Sequence, residues 1–177
     1  YVCDPQCPAV AEFALAVADD WQGRGIGRRL VAHRGRETAA LQAAFDNARR
    51  RGLPMQTHAC QAVVEFHEMV HRHGKTPIEW LDSIGVLGPD LIIGHGIFLN
   101  DHPQIHYPHA NDFERLRDSG ASIAHCPTVF ARRGMVMNSI GRYMNAGITV
   151  GIGTDTFPHN MLDEMRLGHQ KAKSQAC

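Results

Sequence analysis

The chain lacks a surplus of charge of either sign: 18 lysines and arginines stand against 18 aspartates and glutamates. There is no basic field to gather nucleic acid and no acidic tail. It also lacks any apolar run near the ~20 residues that span a bilayer, and no charged-then-apolar leader stands at its front. Neither nucleic acid nor membrane is therefore expected as a partner. The five cysteines (Cys3, Cys7, Cys60, Cys126 and Cys177) are odd in number and contain no CxxC spacing, which argues against a disulfide framework and for reduced thiols in a cytoplasmic setting. No methionine begins the chain at Tyr1, which reads as a fragment. No internal repeat and no low-complexity segment interrupts it.

What is present is an ordinary globular composition, 44% hydrophobic and 20% charged over 177 residues, enough for one domain with a core. Short apolar runs alternate with amphipathic stretches. Phe13 to Ala18 reads as a strand, followed by a glycine-rich turn and a helical stretch from about Ile26 to Arg50. Pro54 to Ala59 reads as a strand and Ala62 to His73 as a helix closed by Gly74. Pro77 opens a short helix to Ser83, proline being tolerated in the first turn. Leu91 to Leu99 is a near-continuous apolar run, the pattern of a strand covered on both faces. A helix from Asn111 to Ser119, capped by Asn111 and stopped by Gly120, a strand from Ala121 to Cys126, a helix near Met135 to Ala146, a strand from Thr149 to Thr154 and a last helix complete the chain. Such β-α alternation predicts an α/β fold with parallel strands and crossover helices. A half-barrel and an open doubly wound sheet both satisfy it.

Twelve histidines are many for this length. His58, His95, His125 and Asp155 each fall at or near the carboxyl end of a strand, where ligands bind in parallel α/β folds. A single histidine there is usually a packed core residue. Four polar, metal-competent side chains on four consecutive strands point to chemistry.

The order THACQ, IIGHGIF, ASIAHCP and VGIGTD resembles the amidohydrolase superfamily, in the branch of triazine hydrolases and guanine and cytosine deaminases. The resemblance covers roughly residues 38 to 170. It implies strands five to eight of a (β/α)8 barrel, a small-molecule substrate, and hydrolysis of a C–N bond as in deaminases or dechlorinases, with one or two divalent ions, zinc or iron. His58 then matches a metal ligand. Asp155 matches the aspartate that contacts the metal and takes a proton from water. His95 matches a residue that hydrogen-bonds substrate or water, and His125 a structural one. Imidazole and carboxylate suit such an ion, which makes hydroxide available near neutral pH.

Two departures stand out. Where the deaminase pattern has HxxE, this sequence has His58-Ala59-Cys60-Gln61, and an amide is no general acid. Glu65, four residues on, is the carboxylate that could substitute for Gln61, although its place also fits a solvated or helix-capping residue. The first-strand HxH pair, which supplies two metal ligands in the family, has no counterpart on any strand here, so the site is incomplete as it stands. A half-barrel would also expose two sheet edges and invite self-association into a homo-oligomer.

Two further motifs need placing. His67-Glu68-Met69-Val70-His71-Arg72-His73-Gly74 spells HExxHxxG, which on a helix can hold zinc for a protease. A metzincin needs a third histidine where Pro77 stands, and the segment equally fits the crossover helix after His58, with Val63, Phe66, Met69 and Val70 as its apolar stripe. Residues 11 to 31 resemble motif A of the GCN5-related N-acetyltransferases: a strand, then Gln22-Gly23-Arg24-Gly25-Ile26-Gly27, then a helix. That resemblance implies acetyl-CoA, its pyrophosphate held by Gln22, Gly23, Arg24, Gly25 and Gly27. The expected division is an acetyltransferase-like β-α piece over residues 1–33 and an amidohydrolase half over 38–177, with Phe13 to Ala18 pairing beside Pro54 to Ala59. His102, His106 and His109, and the pair Arg132-Arg133, are candidates to line a substrate pocket.

Overall fold

The structure, a computed structural model, describes residues 37–135, 137–155 and 159–174. Helix α1 (Glu37–Arg50) leads to strand β1 (Met55–Ala59), helices α2 (Val63–His73) and α3 (Pro77–Ser83), and strand β2 (Leu91–His95). Helix α4 (Asp112–Ser119), strand β3 (Ser122–His125), helices α5 (Pro127–Ala131) and α6 (Ile140–Asn145), strand β4 (Val150–Ile152) and helix α7 (Met161–Ser174) follow. The expected strand at Phe13 to Ala18, its pairing beside β1, and the Gln22–Gly27 loop lie outside the described residues.

The four strands are all parallel and lie in the order β1-β2-β3-β4. A doubly wound sheet reverses its strand order at a switch point; these four add in one direction throughout. The two faces of the sheet differ. Thr57, Ala59, Leu91, Ile93, Ile123 and His125 are buried, whereas their alternates Gln56, His58, Ile92, Ser122 and Ala124 are half-buried or exposed. Because successive side chains point to opposite faces, one face carries the core and the other, less buried, holds a row formed by His58, Gly94, Ala124 and Gly151, of which Gly94 alone is buried.

The helices fold for local reasons and pack through their stripes. Leu41, Phe45 and Ala48 of α1 are spaced by four and three residues and are buried against the core that contains Phe66, Leu91, Ile93 and Ile123. Arg49 closes this contact: Nε and Nη2 lie 2.6 and 2.9 Å from the two carboxylate oxygens of Asp90, and Nη2 also donates to the carbonyl of Val86. The stripe of α2 is as expected, with Phe66 buried and Val63, Met69 and Val70 packed against the core. Helix α3 starts in a complete capping box, Thr76 accepting from the Glu79 N–H and Glu79 from the Thr76 N–H.

Three expectations about elements are corrected. The apolar run Leu91 to Leu99 is a strand only to His95, because His95 and Gly96 take left-handed φ of 82° and 59°. Ile97, Phe98 and Leu99 are buried in the turn that follows, so hydrophobicity there reports burial and not extension. The N–H groups of Gly96, Ile97 and Phe98 donate to the carbonyls of Ala59 and Cys60, which carries the chain over the end of β1. The helix expected near Met135 to Ala146 starts only at Ile140, where the Ser139 hydroxyl accepts from the Arg142 N–H, and a separate short helix begins at Pro127. Asn111 precedes α4 without a side-chain cap; instead Asn100 accepts from the Asp112 N–H. No helix among the described residues is long and apolar enough to cross a membrane.

Candidate active site

The carboxyl ends of the strands gather the residues singled out from the sequence. His58 lies on β1 opposite Gly94 of β2. A Cβ at Gly94 would come within 2.5 Å of His58 Cδ2, so the glycine leaves the space that the imidazole fills. The rings of His58 and His95 lie 4.8 Å apart, tilted by 48°. His95 is buried, with the edge of Phe130 against it at 4.8 Å. Asp155 follows β4 in an exposed position close enough to His95 to affect its charge.

Backbone strain marks this end of the sheet. Cys60, His95 and Asp155 have φ of 57°, 82° and 55°, a region that costs a non-glycine residue roughly 1–2 kcal/mol. They stand at the ends of β1, β2 and β4. The turn after β2 is held from below by the Tyr143 hydroxyl, which donates to the Gly96 carbonyl at 2.9 Å.

Electrostatics fix the state of the histidines. Burial and then the neighbouring His58 hold His95 down at about 4, with Asp155 pulling the other way. Burial alone holds His125 at about 4. Both rings are therefore neutral at pH 7. The Nδ1 atoms of His95 and His125 are buried without a hydrogen-bond partner among the described residues. Cys60 and Cys126 are free and buried, and burial raises both thiols, Cys126 to about 12, so neither is a thiolate nucleophile at pH 7.

The departures from the HxxE pattern also have a geometry. Glu65 spends both carboxylate oxygens on the turn after β1, accepting the N–H of Cys60 at 2.9 Å and of Gln61 at 2.8 Å. Gln61 itself is half-buried beside it. Glu164 does the equivalent after β3: this buried α7 residue accepts the Thr128 N–H at 2.8 Å. Sequence reading missed Glu164, Phe130 and Tyr143, because each reaches the site from a helix far along the chain. Only the Pro127 after His125-Cys126 hinted that a helix began there.

The pocket candidates separate. Arg132 and Arg133 are exposed just after α5, and the Arg133 charge is felt at His95. His102 is buried against Phe98, its Nδ1 accepting from the Gln104 N–H, while His109 packs on Tyr107 and His106 is exposed. The HExxH residues lie on α2, where His67 and His71 are exposed and Glu68 pairs with Arg72. The sole HxH spelling in the sequence, His71-Arg72-His73, ends that helix and is not on a strand.

The four strand-end motifs, in order and on adjacent parallel strands, agree with a direct comparison: a profile of the amidohydrolase family matches residues 16–176. The chain belongs to the amidohydrolase family. The match begins well before residue 38 and includes Gln22 to Gly27. This amidohydrolase chain is 28% identical over 166 residues to a 5-methylthioadenosine/S-adenosylhomocysteine deaminase of Archaeoglobus fulgidus, covering 89% of the chain and 38% of that protein. A deaminase of the same name from Natronomonas pharaonis is 32% identical over 165 residues, 88% of the chain and 36% of the relative. Among solved structures, the zinc-bound adenosine deaminase from Xanthomonas campestris superposes with a TM-score of 0.68 at 22% identity, over 78% of this chain and 30% of that one. The zinc-complexed atrazine chlorohydrolase from Arthrobacter aurescens gives 0.56 at 25% identity, over 66% and 24%. The chain thus spans well under half the length of these relatives.

A divalent ion is the group that these neighbours hold. The donor types here suit one, but among the described residues no three His, Cys, Asp or Glu side chains converge to hold an ion. A catalytic zinc takes three protein ligands plus water. The described residues therefore do not form a self-sufficient metal centre.

Proposed function

We propose that this chain is the strand-five-to-eight part of a (β/α)8 amidohydrolase that hydrolyses a C–N bond of a small molecule, a deaminase acting on an adenosine-type nucleoside. The observation that carries the reading is the pairing of His58 and His95 at the ends of adjacent parallel strands, imidazoles 4.8 Å apart, with Asp155 following β4 close enough to influence His95. Two features support the barrel: unidirectional strand order and a second, less buried sheet face that the other strands of a closed barrel would cover. The deaminase relatives support the substrate class.

In this reading His58 and Asp155 are two ligands of a shared divalent site, whose remaining ligands come from outside the described residues. When bound, the ion supplies an activated water. The chain's own part is positioning. Neutral His95 offers a hydrogen bond to a substrate polar atom or to water, and cannot serve as a cationic acid at pH 7. Glu65, tied to two backbone N–H groups, holds the turn that orients His58. Gln61 orients by hydrogen bonding and moves no proton.

The test is metal content after zinc loading and desalting, alongside ammonia release from 5′-methylthioadenosine. Zinc retained by the parent chain and lost in both His58→Ala and Asp155→Ala supports the site. Equal zinc in all three chains rules it out.

A further inference from the structure

The HExxH segment is absorbed by no part of the fold's chemistry, yet it presents two ligands well. Helix α2 buries Phe66 and turns His67 and His71 to solvent. Residues four apart on a helix lie on one face with Cβ atoms ~6 Å apart. That spacing lets two imidazoles reach one ion. The neighbouring carboxylate does not compete, because Glu68 is paired with Arg72. His67 is braced by the edge of Phe66, ring centroids 5.8 Å apart. His71 lies in the last turn before the Gly74 cap, where the carbonyl end of the helix favours positive charge. His73, by contrast, packs on Trp80 at 5.3 Å.

From this placement we propose that His67 and His71 form a second, surface metal site, a two-imidazole chelate for a borderline divalent transition ion, separate from the strand-end cluster. Water completes the coordination sphere. Two neutral nitrogens with no thiolate follow the ordinary affinity order, so Cu2+ binds more tightly than Ni2+, and both more tightly than Mn2+. The glutamate is a helix-surface ion-pair partner and not a base, which separates this site from a protease.

Calorimetric titration of the chelator-treated chain with Ni2+ tests it, with Cu2+ electron paramagnetic resonance reporting coordinated nitrogens. One equivalent that persists in His58→Ala is expected to bind at the surface pair, in addition to any held at the strand ends, with two imidazole nitrogens on Cu2+. His67→Ala and His71→Ala should each weaken that equivalent by roughly a hundredfold, since chelation is lost. His73→Ala and His58→Ala should leave it intact. Both key positions are exposed, so circular dichroism should show the same helix content in every variant. The proposal fails if no equivalent binds, if only one of the two substitutions weakens it, or if His58→Ala abolishes it.

Discussion

Strands β2 and β4 sit two places apart in one sheet and are built by opposite means. In β2, Leu91, Ile93, Gly94 and His95 are buried, and the strand pairs on both sides. In β4 only three residues are extended, Ile152 is 39% exposed, and Met161, Leu162 and Met165 of the following helix are exposed as well. The candidate site draws one residue from each region. His95 owes its neutral state to the packing around β2, whereas Asp155 stands in solvent and owes its placement to the backbone alone. Packing therefore sets the chemistry of one partner, and chain geometry sets that of the other.

This contrast can be broken most severely at β2. Ile93→Ala should cost about 3 kcal/mol, the penalty for a large buried aliphatic side chain, whereas Ile152→Ala should cost within about 0.5 kcal/mol; urea midpoints read both. A smaller loss is expected when α1 is unpinned from the segment before β2. Arg49→Met removes the fork on Asp90 and should cost about 1 kcal/mol, given that both partners are partly exposed.

The pH dependence sharpens the same comparison. His95 and His125 are held at about 4 against an ordinary 6.5, so their contribution is full above pH 6.5 and is lost as pH falls through 4. Asp112 runs the other way. Burial raises it from 3.8 to about 6, so its contribution is full below pH 3.8 and is lost as pH rises through 6. Urea midpoints measured from pH 7 to pH 4 should fall less steeply in His125→Asn than in the parent. An unchanged slope would show that His125 does not report its burial. The smallest effect belongs to the open end of the site: Gly151, unlike Gly94, has only a backbone oxygen 3.8 Å from an added Cβ. Gly151→Ala should leave stability and zinc retention unchanged, while Gly94→Ala should reduce both.

Much of this was legible in the residues. Short apolar runs identified every described strand, and helical periodicity the stripe of α2, because buried strands are apolar throughout and a packed helix buries one face. His58, His95 and Asp155 were legible because polar, metal-competent side chains at the ends of apolar strands are conspicuous. What escaped were features set by distant contacts. Leu91 to Leu99 is apolar on both sides of Gly94-His95-Gly96, so the run reads as one strand although those glycines mark the turn at His95. Phe130, Tyr143 and Glu164 look like ordinary helix residues until the sheet brings them beside His95, Gly96 and Thr128. Glu65 was legible as a carboxylate near the site and as a candidate helix cap, and it does accept two backbone N–H groups just before α2.

The left-handed backbone at Cys60, His95 and Asp155 bears on how this chain would change over generations. Glycine occupies that conformation without penalty, so each position offers a substitution that relieves strain without altering the path of the chain. A lineage selected only to keep the fold would be free to take glycine at these three points. Cysteine, histidine and aspartate still occupy them. Glycine at Cys60, His95 and Asp155 would thus keep the path of the chain while removing whatever task these strand ends perform.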